Sequence, residues 1–310
     1  MKFYKLTLFL VVVGVLLTSC SKFEGDQTIP AYISVDAIQV VDDPANSWLP
    51  GQNEGFYSQL IDAVQIQLLP AGASSEVVLG TFQLPCTVPV LQQGTLDRVR
   101  IVPVVKQNGI AATRIYYPFY REKVLNGVTL VPTDTTRLDT VETTYLGSGL
   151  MSVPFHEYFE PEQNGTRLSS AVEILSRAQN PDIVSIDRCD HGCGRVHVTA
   201  DQSQVNFWAL DSICLANSGS AVYLEMDYWS DFNFSVGFNN PMVQGGSNEI
   251  KSAMVLYANS GWQKIYINLG KLWSYYNYYH YGIRLYFTVL NSSGKEGNVY
   301  LDNMKVVVTQ

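Results

Sequence analysis

The sequence predicts an all-β protein composed of two β-sandwich domains. Segments in which apolar and polar residues alternate, as in half-buried strands, recur at short spacing along the chain. The chain contains 23 Gly and 13 Pro, which favour turns, and 19 Tyr, a residue enriched in strands. Its 310 residues fit two domains at about 150 residues per domain.

The composition limits the classes of partner. Hydrophobic residues make up 46% of the chain and charged residues 15%, which is enough apolar content to form a core. There are 20 Lys and Arg against 28 Asp and Glu, giving a net charge of −8. We therefore expect no nucleic-acid partner, because binding to phosphates needs a basic face.

The first residues have the pattern of an export signal. Lys2 and Lys5 precede an apolar run over 6–17, which is shorter than the roughly 20 residues of a membrane-spanning helix. Residues 17–20, with the sequence LTSC, resemble a bacterial lipobox, which implies cleavage after residue 19 and a lipid on Cys20. The alternative is an ordinary signal peptide that contains a Cys. We predict a signal peptide over 1–19.

The residues after Cys20 predict the location. Residues 21–26, with Glu24 and Asp26, resemble the short acidic export signal of surface lipoproteins in Bacteroidota. We expect residues 20–28 to be a lipidated tether, and the protein to be an outer-membrane lipoprotein that faces the surface rather than the periplasm. Several acyl chains together anchor a protein durably.

The first sandwich is predicted over 29–130. Its strand candidates are the alternating or apolar segments 32–38, 61–68, 77–84 and 99–105. Their arrangement resembles small prealbumin-like or Ig-like sandwiches. Residues 108–114 and 117–120 resemble stretches of an uncharacterised lipoprotein family of Bacteroidota.

A Thr-rich segment over 131–152 is predicted to be a linker, although its Val and Tyr residues would also allow a strand. Asp134-Thr135-Thr136, Asp139-Thr140-Val141 and Asp211-Ser212-Ile213 resemble the O-glycosylation motif of Bacteroidota. This resemblance implies modification of Thr135, Thr140 and Ser212.

The second sandwich is predicted over 153–310 as a jelly roll. It has eight strand candidates at short spacing, namely 195–199, 205–210, 221–228, 232–238, 253–257, 263–269, 282–290 and 298–308. Residues 222–228, 262–269 and 298–306 resemble galactose-binding-like jelly rolls, the fold of many carbohydrate-binding modules. The resemblance implies a glycan ligand, although fold alone does not determine function.

The same resemblance implies a structural Ca²⁺ shared by Glu160 and Asp302. This ion takes six to eight oxygen ligands from carboxylates and carbonyls. The alternative is that both are solvated acids at strand ends. Apart from this ion we expect no cofactor.

An aromatic run provides the candidate ligand-binding residues. Six Trp or Tyr residues lie between 273 and 281, after a predicted strand. In an exposed loop their rings would stack on sugars, and we select Trp273, Tyr276 and Tyr279 for this role. A protein interface and simple core packing are the alternatives.

Cys189 and Cys193 are close enough in sequence to form a disulfide in an oxidising envelope. Cys86 and Cys214 leave the connectivity open, and four free thiols are also compatible with the sequence. Zinc binding by Cys189 and Cys193 with His191 and His197 fits no common ligand spacing.

The sequence contains none of the common catalytic motifs, such as a nucleophile elbow, a phosphate-binding Gly loop or a zinc-protease motif. We predict a non-catalytic envelope lipoprotein that binds glycan or protein at the outer membrane. The alternative is a structural accessory lipoprotein of an outer-membrane machine, such as a type IX secretion and gliding complex or a nutrient-uptake complex.

Overall fold

The structure is a computed structural model that describes residues 28–43, 45, 54–160, 165–183, 192–213, 221–240, 249–276 and 282–310. Regular structure there is almost entirely β, which confirms the predicted fold class. The predicted signal peptide lies outside these residues. Within them, no helix combines the length and apolar character needed to span a bilayer.

The first sandwich consists of sheets A and B. A 3₁₀ turn, Glu54–Tyr57, lies between its first two strands. Sheet A has the order β4-β1-β8, and sheet B the order β3-β2-β5-β6 with β7 also paired to β5. The strands are β1 (Ala31–Val40), β2 (Ala63–Pro70), β3 (Val77–Gln83), β4 (Cys86–Val90), β5 (Gly94–Lys106), β6 (Arg114–Tyr116), β7 (Lys123–Leu130) and β8 (Thr135–Thr143).

Strand β8 lies within the segment predicted as a linker, so the structure differs from that prediction over 131–152. It pairs in parallel with β1, with Leu138 opposite Val35 and Val141 opposite Ile38. Leu138 is half-buried and Val141 and Thr143 are buried, whereas Arg137, Asp139, Thr140 and Glu142 are exposed, so the strand has one face toward the core. The strand that the Val content allowed therefore forms, and it completes sheet A.

The second sandwich consists of sheets C and D. Sheet C has the order β10-β11-β18-β13-β16 with β9 also paired to β18, and sheet D has the order β12-β17-β14-β15. The elements are β9 (Met151–Glu157), β10 (Glu173–Ser176), β11 (Gly192–Val198), β12 (Gln204–Trp208), β13 (Val222–Ser230), β14 (Asn233–Asn240), β15 (Glu249–Leu256), β16 (Gln263–Asn268), helix α1 (Gly270–Tyr276), β17 (Arg284–Leu290) and β18 (Gly297–Thr309).

Sheet C is buried on both faces. Its inner face packs on sheet D in one apolar cluster that includes Leu224, Ile267 and Val306. Its outer face contributes Tyr223, Tyr266 and other residues to the cluster of the first sandwich. The long central strand β18 is consequently buried along almost its whole length.

The turn between β5 and β6 joins the two sandwiches directly. Asn108 N–H donates to the Tyr266 carbonyl at 2.8 Å, and Asn268 N–H donates to Asn108 Oδ1 at 2.9 Å. Asn108 and Gly109 have positive φ angles of 57° and 71°, a conformation that these two residue types tolerate. A Cβ on Gly109 would lie 3.4 Å from Ile265 Cδ1, so the turn rests closely on the edge of β16.

Candidate functional site

Four charged side chains are buried on the outer face of sheet C, beneath the first sandwich. Glu225 lies opposite Lys305, and Asp227 lies opposite Lys264, in the registers of the strand pairs. Each of these residues is at most 5% exposed. Buried charges are costly unless they are paired and hydrogen-bonded, so the interface must supply partners for them.

Glu225 receives most of its partners from the first sandwich. Tyr117 OH donates to Oε1 at 2.6 Å, and Tyr145 OH donates to Oε2 at 2.8 Å. Lys305 Nζ lies 3.4 Å from Oε2, donates to the carbonyl of Phe56, and lies 4.7 Å from the centre of the Phe56 ring. Burial lowers the pKa of Lys305 to about 8, although the Glu225 carboxylate opposes this shift.

The tyrosines around Glu225 form a connected group. Tyr120 OH lies 3.1 Å from Tyr266 OH and 3.4 Å from Tyr145 OH. Burial raises the pKa of Tyr117, Tyr120, Tyr145 and Tyr266 far above the ordinary value, and the nearby carboxylate adds to this effect. Their hydroxyls therefore stay protonated and act as hydrogen-bond donors.

Asp227 lies on the same outer face as Glu225, and a β-bulge in β18 brings Asn303 to it. Between the pairs Glu225–Lys305 and Asp227–Asp302, a single residue of β13 faces two residues of β18. One of those two, Asn303, has a φ of 48°, and its Nδ2 donates to Asp227 Oδ2 at 3.0 Å. Ser58 Oγ donates to the same oxygen from the first sandwich.

A cleft of about 790 Å³ opens beside this network, between the two sandwiches. We call it the inter-sandwich cleft. Its first wall belongs to the first sandwich and consists of Leu60, Asp62, Lys106 and residues 108–110. Its second wall belongs to the second sandwich and consists of Tyr228, residues 254–259 and residues 262–266.

Aromatic side chains stand on the loop between β15 and β16, in the second wall. Tyr257 is 72% exposed. Trp262 is half-buried, and its indole N–H donates to the Ile183 carbonyl at 2.9 Å. Asn259 fixes the loop, because its Oδ1 accepts from Ser230 N–H at 2.9 Å and its own N–H donates to the Ser230 carbonyl. The rings are thus held at the cleft by an anchored loop.

Each wall also contains a buried polar atom without a hydrogen-bond partner among the described residues. Asp62 Oδ2 binds Lys106 Nζ at 2.6 Å and an Arg114 nitrogen at 3.1 Å, whereas Asp62 Oδ1 has no such partner. Lys264 Nζ is likewise unpartnered and lies 3.8 Å from Asp227 Oδ2. Both atoms are shielded from solvent, so in this structure neither is exposed to the cleft.

The structure corrects the predicted stacking role of Trp273. This residue is 1% exposed, lies in α1, and packs edge-on against Phe238 with ring centres 6.4 Å apart. A ring within the core cannot stack on a ligand. The side chain of Tyr276 and all of Tyr279 lie outside the described residues, so their roles stay predictions.

The calcium ion stays a prediction. No group of three or more His, Cys, Asp or Glu side chains in the described part of the chain could hold a metal. Asp302 is buried on β18, where its Oδ1 accepts from Asn303 N–H at 2.7 Å, and Glu160 is half-buried beyond the end of β9. Residues 161–164, which follow Glu160, lie outside the described residues.

Cys193 is a free thiol rather than half of a disulfide. Its side chain is buried with Leu175 and Tyr300, and burial raises its pKa. The predicted partner, Cys189, lies outside the described residues, as does Cys20.

The proposed O-glycosylation residues occupy surface positions. Thr140 and Ser212 are exposed, and Thr135 is half-buried at the start of β8. Their modification stays a prediction.

Sequence reasoning missed the inter-sandwich cleft. Its walls come from segments far apart in the chain, and Asp62 and Lys264 lie in the ordinary strand candidates 61–68 and 263–269. One signal was present, because charged residues share the outer face of sheet C with Tyr223, Tyr266 and Val307. A face that mixes large apolar residues with charges indicates burial against another element.

Comparison with known proteins adds little. No family model and no curated protein match the sequence. Several solved structures align with it at low identity. A carbohydrate-binding module described in a study of promiscuous specificity in the β-sandwich superfamily is 10% identical, with 91% of this chain and 99% of that chain covered and a TM-score of 0.34.

Two further structures align with about half of the chain. The family 30 carbohydrate-binding module of a Clostridium thermocellum cellulosomal cellulase is 14% identical, covering 51% of this chain and 96% of that one. An arabinose-bound α-L-arabinofuranosidase is 12% identical and covers 52% of this chain, but this chain spans only 27% of the enzyme. Both TM-scores are 0.34, too low to support an argument about fold or ligand.

Proposed function

We propose that this protein is a non-catalytic carbohydrate-binding protein and that the inter-sandwich cleft is its binding site. One observation carries the proposal: an open cleft of about 790 Å³ is lined by aromatic rings on an anchored loop, of which Tyr257 is 72% exposed. Sugars present apolar C–H faces that pack on aromatic rings, and hydroxyl groups that both donate and accept hydrogen bonds. This role replaces the Trp273 platform as the candidate site.

The test is isothermal titration calorimetry of the purified chain with oligosaccharides selected on a glycan array. Tyr257→Ala removes an exposed ring at the cleft and should weaken binding about tenfold, equivalent to about 1.4 kcal/mol. Tyr275→Ala, which removes a half-exposed ring on α1 away from the cleft, is the matched control and should bind normally. Equal affinities of the two variants, or silence on the array, would reject the proposal.

We also propose that a lipid on Cys20 holds this binding protein at the outer membrane, facing the surface. The basic start, the short apolar run and the position of the Cys in residues 1–20 support this proposal. Cys20→Ser should move the protein from the membrane fraction to the soluble fraction, and intact-mass analysis should show acylation of the wild type only. A wild type without acyl groups would refute it.

A further inference from the structure

Three polar side chains lie in a row across neighbouring strands of sheet C. They are Lys264 on β16, Asp227 on β13 and Asn303 on β18, and β13 lies between the other two strands. Asp227 faces Lys264 in the register of β13 with β16, and it faces Asp302, the chain neighbour of Asn303, in the register of β13 with β18. The sheet thus brings together an amine, a carboxylate and a carboxamide from three strands.

One oxygen of Asp227 contacts the nitrogen atoms of both neighbours. Lys264 Nζ lies 3.8 Å from Asp227 Oδ2, and Asn303 Nδ2 donates to the same oxygen at 3.0 Å. A carboxylate within reach of two nitrogen atoms can take a proton from one and give it to the other. The lysine amine and the amide nitrogen of Asn303 therefore share a proton-transfer group.

The backbone holds the carboxamide of Asn303 toward Asp227. Asn303 lies in the bulge of β18 with a φ of 48°, and its N–H donates to Asp302 Oδ1 at 2.7 Å. Reacting groups that are already held beside each other lose little further freedom when they react.

The row is shielded from water. The side chains of Lys264 and Asp227 are 0% exposed, and Asn303 is 1% exposed. Lys264 Nζ has no hydrogen-bond acceptor among the described residues, so it need not break a hydrogen bond with them before it reacts. A buried ammonium group is costly, and a neutral amide in its place removes that cost.

We propose that Lys264 and Asn303 form an intramolecular isopeptide bond, with Asp227 as the catalytic residue. The bond between Lys264 Nζ and Asn303 Cγ forms, and the bond between Cγ and Nδ2 breaks. Asp227 takes two protons from Nζ in turn and passes both to the departing nitrogen. The lysine ammonium and the carboxamide become a secondary amide and an ammonium ion, the carboxylate is regenerated, and no oxidant or cofactor is consumed.

This bond links β16 to β18 across β13. The three strands then cannot separate without the breaking of a covalent bond, and they belong to the sheet on which both sandwiches pack. The inference concerns how the protein holds together and does not depend on carbohydrate binding.

The test is tryptic peptide mapping of the denatured mature chain by tandem mass spectrometry. Trypsin does not cleave after an acylated lysine, so residues 252–271 should appear joined to residues 296–305. The joined peptide should be lighter than its two parts together by the mass of one ammonia molecule. Separate peptides 252–264 and 296–305 from the wild type would overturn the proposal, and this result does not depend on whether any variant folds.

Variants assign the roles. Lys264→Met should leave residues 296–305 as a separate peptide, and Asp227→Asn, which removes the proton acceptor at nearly the same size, should leave 252–264 and 296–305 separate. Lys271→Met removes an exposed lysine of α1 and is the control, which should retain the link in a peptide that extends from residue 252 to residue 284. A link that persists in Asp227→Asn would overturn the catalytic role of Asp227.

Discussion

The two faces of sheet C are buried to a similar degree but by different means. The inner face packs Leu224, Ile267 and Val306 against sheet D, and its stability comes from apolar area removed from water. The outer face buries Glu225 and Lys305 among tyrosines, where each polar group needs a partner in a defined direction. The hydrophobic effect has no preferred direction, whereas the hydrogen bonds of the outer face require a defined placement of the first sandwich.

The largest expected effect tests the inner face. Trp273→Ala should lower the free energy of unfolding by about 3–5 kcal/mol, because it leaves a cavity between α1 and Phe238. Urea denaturation followed by circular dichroism measures this change. Tyr275→Ala, two residues away and half-exposed, removes only surface contacts with Glu249 and Lys251 and should cost about 1 kcal/mol. A stable Trp273→Ala protein would contradict the burial of this ring.

The next effect tests the outer face. Glu225→Ala should cost about 3–5 kcal/mol, because Lys305 is then buried without its carboxylate. The control is Glu173→Ala, which breaks an exposed ion pair with Arg195 and should cost less than about 1 kcal/mol. Equal losses of unfolding free energy in the two variants would mean that water reaches Glu225 and Lys305 in the interface.

A double variant sharpens the contrast between the faces. Glu225→Leu with Lys305→Met replaces the buried pair by apolar groups and should recover most of the stability that Glu225→Ala loses. Recovery of stability would show that charges on the outer face must be paired, and that charged residues are not required there. If the double variant were as unstable as Glu225→Ala, the lost stability would come mainly from the hydroxyls of Tyr117 and Tyr145, which no longer have Glu225 as an acceptor.

The contrast also explains how much the sequence could predict. Alternation located strands such as 221–228 and 263–269 close to the observed Val222–Ser230 and Gln263–Asn268, because periodicity reports which residues share a face. It cannot report what covers that face. Glu225 and Lys264 therefore resemble solvated strand residues until the first sandwich is placed over them, and the cleft that depends on this placement was invisible.

The prediction that Trp273 stacks on a ligand from an exposed loop failed for a related reason. Composition identified rings, but Trp273 N–H donates to the Leu269 carbonyl at 2.8 Å, so the run begins as a helix rather than a loop. A helix turns some side chains inward, and Trp273 is one of them. The neighbouring Tyr275 is half-exposed, which shows that exposure within such a run is set by local geometry.

The buried Lys305 and tyrosines of the outer face should determine how the stability depends on pH. The folded pKa of Lys305 is about 8, below its ordinary value of 10.5, so between these values the unfolded chain holds a proton that the folded chain has released. Stability should therefore rise with pH across this window, since it increases wherever the unfolded state binds more protons. Below it, both states are protonated and the cost of the buried charge is fully present.

Above about pH 10 the trend should reverse. The four buried tyrosines have raised pKa values, so the unfolded chain loses protons that the folded chain keeps, and stability falls. Urea midpoints measured from pH 7 to 11 test both limbs. Lys305→Met should remove the rise and keep the fall, and a variant with an unchanged rise would show that another group is responsible.

The smallest expected effect concerns the turn that docks the first sandwich on the edge of sheet C. Asn108→Gly accommodates the positive φ but loses the bond from Asn268 N–H, and should cost about 1 kcal/mol. Asn108→Ala loses the same bond and also forces alanine into the left-handed region, which adds about 1–2 kcal/mol. Urea denaturation should thus rank the wild type above the glycine variant and the glycine variant above the alanine variant. Equal stability of all three would mean that this turn contributes nothing to docking, and that the buried charges and tyrosines alone hold the sandwiches together.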